Sequence, residues 1–226
     1  MDPSANATKD RERLTRERVI DAAITVMDSE GLDSVTMRRV AREVGVEAMS
    51  LYNHVHDKDD LLQGVCERIM ASFEFPDGYD DWVDRAKAGA RSWRRLLQAH
   101  PDLLRLFAEM HGPAPSSPES LRPTEFALTM FREAGLADRD VVQAFHAFGG
   151  YIQGFVMMEA GSMKERHEEH FLGAEIPPEE FPALAAASAY WADCDADEQF
   201  EFGLDLLIRG LQARVAAGAS TPSRTE

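Results

Sequence analysis

Residues 35–62 read VTMRRVAREVGVEAMSLYNHVHDKDDLL and concentrate side chains able to hold a polyanion. Arg38 and Lys58 can bind phosphate oxygens, and the Tyr52 hydroxyl can reach one. Ser50 and Asn53 can exchange hydrogen bonds with base edges, while Ala48 and Met49 suit a thymine methyl. His54 lies on the same outer face, with Glu47 as its one acidic member. Lys58 stands in the first turn of a predicted helix, where its ammonium and the free backbone amides can grip one phosphate together. The chemistry on offer is recognition of duplex DNA. The competing reading of the same residues is a solvated polar face on a helical bundle.

Other reactive side chains do not assemble into a site. His54 and His56 are two residues apart and so do not share a helical face. His167 and His170 in ERHEEHF lack the two-residue gap that a zinc-protease signature needs between its glutamate and second histidine. Cys66 and Cys194 have no metal or redox spacing and read as buried thiols. The acidic residues are spread over helix faces, and no nucleophile converges with an acid or base. No metal, no cofactor and no enzymatic activity are therefore expected. A helical enzyme, or a helical interaction module without DNA binding, remains the alternative.

The formal charge of −16 speaks against a nucleic-acid partner, but its distribution does not. Residues 1–58 carry 9 Lys/Arg against 11 Asp/Glu, whereas residues 59–226 carry 15 against 29. Phosphate contacts are local and screened from distant charge, so a DNA-binding head can sit on an acidic body. No apolar stretch reaches the length of a membrane span, and MDPSANATKDRER is not a secretory leader, which points to the cytoplasm.

The elements that must position these residues all read as helices. Thr15 caps a helix over 16–29 with Val19, Ala22, Ala23, Val26 and Met27 inward. Thr36 caps a second over 37–43, and Gly45 stops it. A third covers 47–53, and Asp57 with Asp60 caps a fourth over 58–73. Val40, Ala41, Val44, Val46 and Leu51 lock the short helices together. Further helices are expected over 79–98, 101–110, 119–134, 138–160, 183–191 and 196–216, with loops at 112–118 and 173–182. The chain is thus expected to be all-α. A flexible arm (1–14) precedes a three-helix helix-turn-helix head (15–62), a body (63–216) and a disordered tail (217–226).

The segment TMRRVAREVGVEAMSLYNHVHDKDDLL, preceded by RERVIDAAITVMDSEGLDSV, resembles the DNA-binding head of the tetracycline-repressor (TetR) family over roughly residues 16–65. The features that match are the helix ending in Gly-Leu, the Thr-initiated second helix, Ala41, Gly45-Val46, Leu51-Tyr52, His54 and Lys58-x-x-Leu61. The resemblance implies that Arg38, Met49, Ser50, Tyr52, Asn53, His54 and Lys58 contact DNA. It also implies a ligand-responsive homodimer, most simply a repressor released from a palindromic operator by a small molecule.

Two apolar helical segments suit such a dimer. In FEFGLDLLIRGLQARV, Leu204, Leu207, Ile208 and Leu211 recur at helical spacing, with Gly203 and Gly210 allowing close approach. FHAFGGYIQGFVMM offers Phe145, Gly149 and Ile152. Paired with their symmetry mates, the two segments can build a four-helix interface. FGLDLLIRGL and FGGYIQGF also resemble the dimer helices of the tetracycline-repressor subclass. Candidate residues for an effector pocket are Trp93, Phe107, Met110, His111, Phe148, Tyr151, Phe155 and Met158, which would suit an uncharged or flat aromatic ligand. Tetracycline-binding members place a magnesium-ligating histidine before a Gly-Thr-Arg-Pro turn. Here His111 runs into Gly112-Pro113-Ala114-Pro115 without the arginine, so no metal-chelated ligand is expected.

Overall fold

The computed structural model describes residues 13–110, 117–159, 177–191 and 195–219. The described residues form ten α-helices and contain no strand. The head comprises α1 (Arg16–Glu30), a 3-10 turn (Leu32–Ser34), α2 (Met37–Val44) and α3 (Ala48–Leu51). The long α4 (Lys58–Ala71) leads into the body. There follow α5 (Trp82–Ala99), α6 (Leu103–Glu109), α7 (Pro118–Glu133), α8 (Asp138–Glu159), α9 (Pro182–Trp191) and α10 (Ala196–Ala219).

Local chemistry sets the helix starts. Thr15 accepts the Arg18 amide at 3.3 Å, Thr36 that of Arg39 at 3.1 Å, and Asp57 that of Asp60 at 2.8 Å. Each bond satisfies an amide that the first helical turn leaves without a partner. At the end of α2, Gly45 takes φ 74° and ψ 35°, a left-handed conformation that a side chain would strain. The chain then turns sharply, and the Val46 amide bonds back to the Ala41 carbonyl at 2.9 Å.

Head and body share one continuous apolar core. It runs from Val19, Val26 and Leu51 through Leu61, Val65, Cys66 and Ile69 of α4 to Phe131, Phe200 and Leu204. Helix α4 packs against α1 on the head side and against α6 and α7 on the body side. Burial pushes the Cys66 thiol up to about 12, so it stays protonated and unreactive at neutral pH.

Within the body, Arg94 of α5 is buried between the rings of Phe155 and Phe200, its guanidinium carbon 5.3 and 4.6 Å from their centroids. It pairs with Glu159 and, at 2.7 Å, with Asp197, so its charge is both stacked and neutralised. This pin joins α5 to the end of α8 and the start of α10. A Cβ on Gly203 would collide with the Tyr151 ring, so α10 approaches α8 of its own chain at that point.

Several expectations need correction. Helix α3 spans only Ala48–Leu51, because Tyr52 to His54 leave the helix as turns, and Glu47 caps it without a side-chain bond. Helix α4 ends at Ala71, not at residue 73. Helix α10 continues to Ala219, past the expected start of a disordered tail. The 3-10 turn at Leu32–Ser34 was not foreseen. His167, His170, Cys194 and most of the expected N-terminal arm lie outside the described residues.

Gly45→Ala is expected to cost about 1–2 kcal/mol through its left-handed backbone, with nothing nearby for the methyl to touch. A thermal melt lowered by several degrees checks this. An unchanged melt would show that the turn relaxes.

Candidate nucleic-acid interface and ligand cavity

Arg16, at the first position of α1, anchors the turn after α3. Its guanidinium donates to the His54 carbonyl at 3.0 Å and to the Asp60 carboxylate at 2.6 Å. Asp60 in turn accepts the His56 amide at 2.7 Å. The hydrogen bond from Arg16 holds the Asp60 carboxyl below its ordinary range. Leu51 and Val55 are buried beneath, so the exit from α3 is fixed from both sides.

That anchoring turns Met49, Tyr52 and Asn53 to solvent, with Ser50 and His54 half-buried beside them. Met49 is 75% exposed, a large apolar side chain presented at the tip of a short helix. Arg38, Arg42 and Lys58 are also exposed and, among the described residues, hold no ion pair. Arg39 differs. It is bound by Glu30 at 2.6 Å and by Glu43 at 2.8 Å, and its charge is spent within the head. Arg42 therefore joins the residues available to phosphate. Its position one helical turn beyond Arg38 was the sequence signal for it.

A cavity of about 410 Å³ lies in the body, a volume suited to a small organic ligand. Trp93, Phe107 and Phe148 line it. Met110, Tyr151, Phe155 and Met158 do not. Tyr151 donates its hydroxyl to the Phe200 carbonyl at 2.7 Å, Phe155 packs on Arg94, and Met158 is exposed. His111 lies outside the described residues. The walls further include Met70 at the end of α4, Phe73 just beyond it, and one face of α7 carrying Ser120, Thr124, Ala127 and Phe131. The spacing of three and four along α7 was legible, but not that small residues on this face border a void.

Among the described residues, no charged side chain lines the cavity. Ser120 is engaged with Ser117. Thr124 of α7, Gln153 of α8 and the Trp93 indole of α5 supply polar groups on three different walls. Among the described residues no group of three metal-ligating side chains occurs.

Phe145, Gly149 and Ile152 line the cavity. Leu204 and Ile208 are buried in the chain's own core, with Leu207 and Leu211 half-buried against it. Phe145, Gly149, Leu207 and Leu211, all expected at a dimer surface, keep part of their surface open within the chain. The apolar groups left open on the two helices are Val142, Met157 and Met158 on α8, and Phe202 and Leu206 on α10. Gly150, Gly154 and Gly210 have open space above them.

A short helix, a glycine turn and a second short helix with an exposed reading face define a helix-turn-helix DNA-binding regulator, here with a ligand-sized cavity in an all-helical body. Residues 19–65 match the model of bacterial regulatory proteins of the tetR family, and residues 75–215 match that of the tetracyclin repressor-like C-terminal domain. The chain belongs to the TetR family: it is a DNA-binding transcriptional regulator and not an enzyme. It is 33% identical to the HTH-type transcriptional repressor DrrR1 of Streptomyces coeruleorubidus, over 92% of this chain and 82% of that one. It is 30% identical to the class D tetracycline repressor protein of Escherichia coli, over 91% and 92%. Among solved structures, apo ActR from Streptomyces coelicolor superposes with a TM-score of 0.76 at 29% identity, covering 92% of this chain and 98% of that one.

Lys58→Ala and Arg42→Ala should each lower the salt dependence of duplex binding by about one unit of slope. Arg39→Ala should leave the slope unchanged, since Glu30 and Glu43 already neutralise it. Equal slopes for all three variants, from titrations over a range of salt, would contradict this division.

Proposed function

We propose that this chain is a homodimeric, cytoplasmic repressor that leaves a palindromic operator when a flat, uncharged aromatic molecule fills the cavity. One observation carries the reading. Helix α4 begins at the exposed Lys58 and carries Met70, in its last turn, into the cavity wall, so an occupant presses on the same rigid element that carries a DNA contact. The difference in ligand affinity between the two head spacings need amount to only a few kcal/mol.

Aromatic walls, uncharged among the described residues, favour a planar neutral ligand, oriented by Thr124, Gln153 and the Trp93 indole. The relatives support this class. ActR has been solved with actinorhodin and with (S)-DNPA, and other relatives are tetracycline repressors. On the DNA side, Arg38, Arg42, Tyr52 and Lys58 hold phosphates, while Met49, Ser50, Asn53 and His54 read bases. Dimerisation uses the open faces of α8 and α10, where Phe202, Leu206, Val142 and Met157 are otherwise left in water. No helix among the described residues is long and apolar enough to cross a membrane.

Selection of duplexes from a random library by the purified full chain should enrich an inverted repeat. Failure of a folded protein to enrich any such site would overturn the reading. For the ligand, Gln153→Leu should weaken effector binding about tenfold, the worth of one good hydrogen bond, with operator affinity unchanged. Calorimetric titration of both partners separates the two effects. Unaltered effector affinity would remove Gln153 from the ligand's contacts.

A further inference from the structure

We propose that Arg16 and Asp60 are positioning residues for base recognition: without touching DNA themselves, they hold Tyr52, Asn53 and His54 in the register that lets the head tell one duplex sequence from another. The proposal rests on the DNA-binding reading above and names what sets its specificity.

The reading turn cannot hold itself. Helix α3 has four residues, Ala48–Leu51, too few to be stable on its own hydrogen bonds. Beyond it the Asn53 amide reaches the Ser50 carbonyl at 3.4 Å, longer than the 2.8 and 3.0 Å of the next two amides, His54 and Val55. Leu51 and Val55 are buried and fix the ends of the segment in the core. Tyr52 and Asn53 between them face solvent, so the core does not set where they point.

The missing restraint comes from two other helices. Arg16 opens α1, and Asp60 lies in the first turn of α4, 44 residues away. The Arg16 guanidinium donates to one Asp60 oxygen at 2.6 Å and to the other at 3.0 Å. One of its nitrogens also donates to the His54 carbonyl at 3.0 Å, and Asp60 accepts the His56 amide at 2.7 Å. The carbonyl before Val55 and the amide after it are thus tied to one ion pair. Gly64, one turn beyond Asp60, leaves room for it. A Cβ there would lie 3.5 Å from a guanidinium nitrogen and 2.7 Å from the Ile20 side chain. The arrangement needs a planar fork. An ammonium is a single point and cannot span two carboxylate oxygens and a carbonyl at once.

Charge alone gives no reason for Asp60 to stand here. A carboxylate near a face that meets phosphates repels every duplex. Paired with Arg16, its charge is cancelled locally, and what the pair contributes is geometry. Attraction and positioning therefore predict opposite results when Asp60 is neutralised. Asn also sets an NH2 group against a donor whichever way it turns, so it breaks the network without changing its size.

The test uses the full chain, the operator recovered by selection and a scrambled duplex of equal length, each titrated over a range of salt. Absence of any operator for the parent would defeat the DNA-binding reading itself; the variants test the positioning alone. Arg16→Lys, Arg16→Gln and Asp60→Asn should each lower the ratio of operator to scrambled affinity by about tenfold, the worth of one misplaced base contact. Arg16→Lys should leave scrambled binding unchanged, and Asp60→Asn should leave it unchanged or tighter, which also shows the head to be folded. The double variant Arg16→Gln with Asp60→Asn should lose no more specificity than either single change and keep the parent's salt slope. A parental ratio in Arg16→Lys overturns the proposal, because charge alone would then suffice. So does a loss that falls equally on both duplexes, or additive losses in the double variant. A salt slope lowered by about one in the double variant overturns it as well, since Arg16 would then hold a phosphate.

Discussion

The burial of α4 on both of its sides is the constraint on which the rest of this molecule depends. Leu61, Val65, Cys66 and Ile69 are enclosed by α1 from the head and by α6 and α7 from the body. Burial of each large aliphatic side chain contributes roughly 1.5–3 kcal/mol, so α4 cannot rotate freely against either neighbour. A flexible linker would let the head swing without consequence. Here the head can move only if the body's packing moves with it, which is what a ligand-driven regulator requires.

The same economy explains how a chain of net charge −16 can meet DNA. The head does not need an excess of basic residues. It needs a few that remain uncommitted. Ion pairs absorb Arg16 and Arg39 into the architecture, where Arg16 fixes the turn after α3 and Arg39 ties α2 to the end of α1. Arg38, Arg42 and Lys58 stay exposed around a nearly neutral reading face. In the body, Arg94 is stacked and doubly paired, and no charged side chain among the described residues enters the cavity. Counting charges obscures this division of labour, since it depends on which arginines already have carboxylates.

What was legible in the sequence was what local chemistry decides. Thr15, Thr36 and Asp57 cap helices because a short polar side chain precedes an apolar-periodic run, and Gly45 stops α2 because only it tolerates the turn. The length of α3 was not legible, because Arg16 holds the His54 carbonyl from 38 residues away. In the body, Trp93, Phe107 and Phe148, three of the eight residues expected to line a pocket, border the cavity. The phase of α8 was not legible. That helix is apolar around most of its circumference, so Phe145, Gly149 and Ile152, expected at a partner surface, border the cavity as well. Tyr151 and Phe155 turn away from the cavity because Arg94 and Phe200 claim them. A buried arginine recruits aromatic faces from distant helices, and periodicity within one helix carries no record of that demand.

In the proposed mechanism, cavity and operator compete for one set of helices. Thermodynamic linkage makes that claim symmetric: the factor by which effector weakens operator binding must equal the factor by which operator weakens effector binding. The direct measurement is the affinity of a planar aromatic effector, followed by quenching of tryptophan fluorescence, for the free protein and for the protein saturated with operator. Effector should bind the operator complex more weakly, by the same factor that separates operator affinities with and without effector. Equal effector affinity for the free and DNA-bound protein would contradict that mechanism.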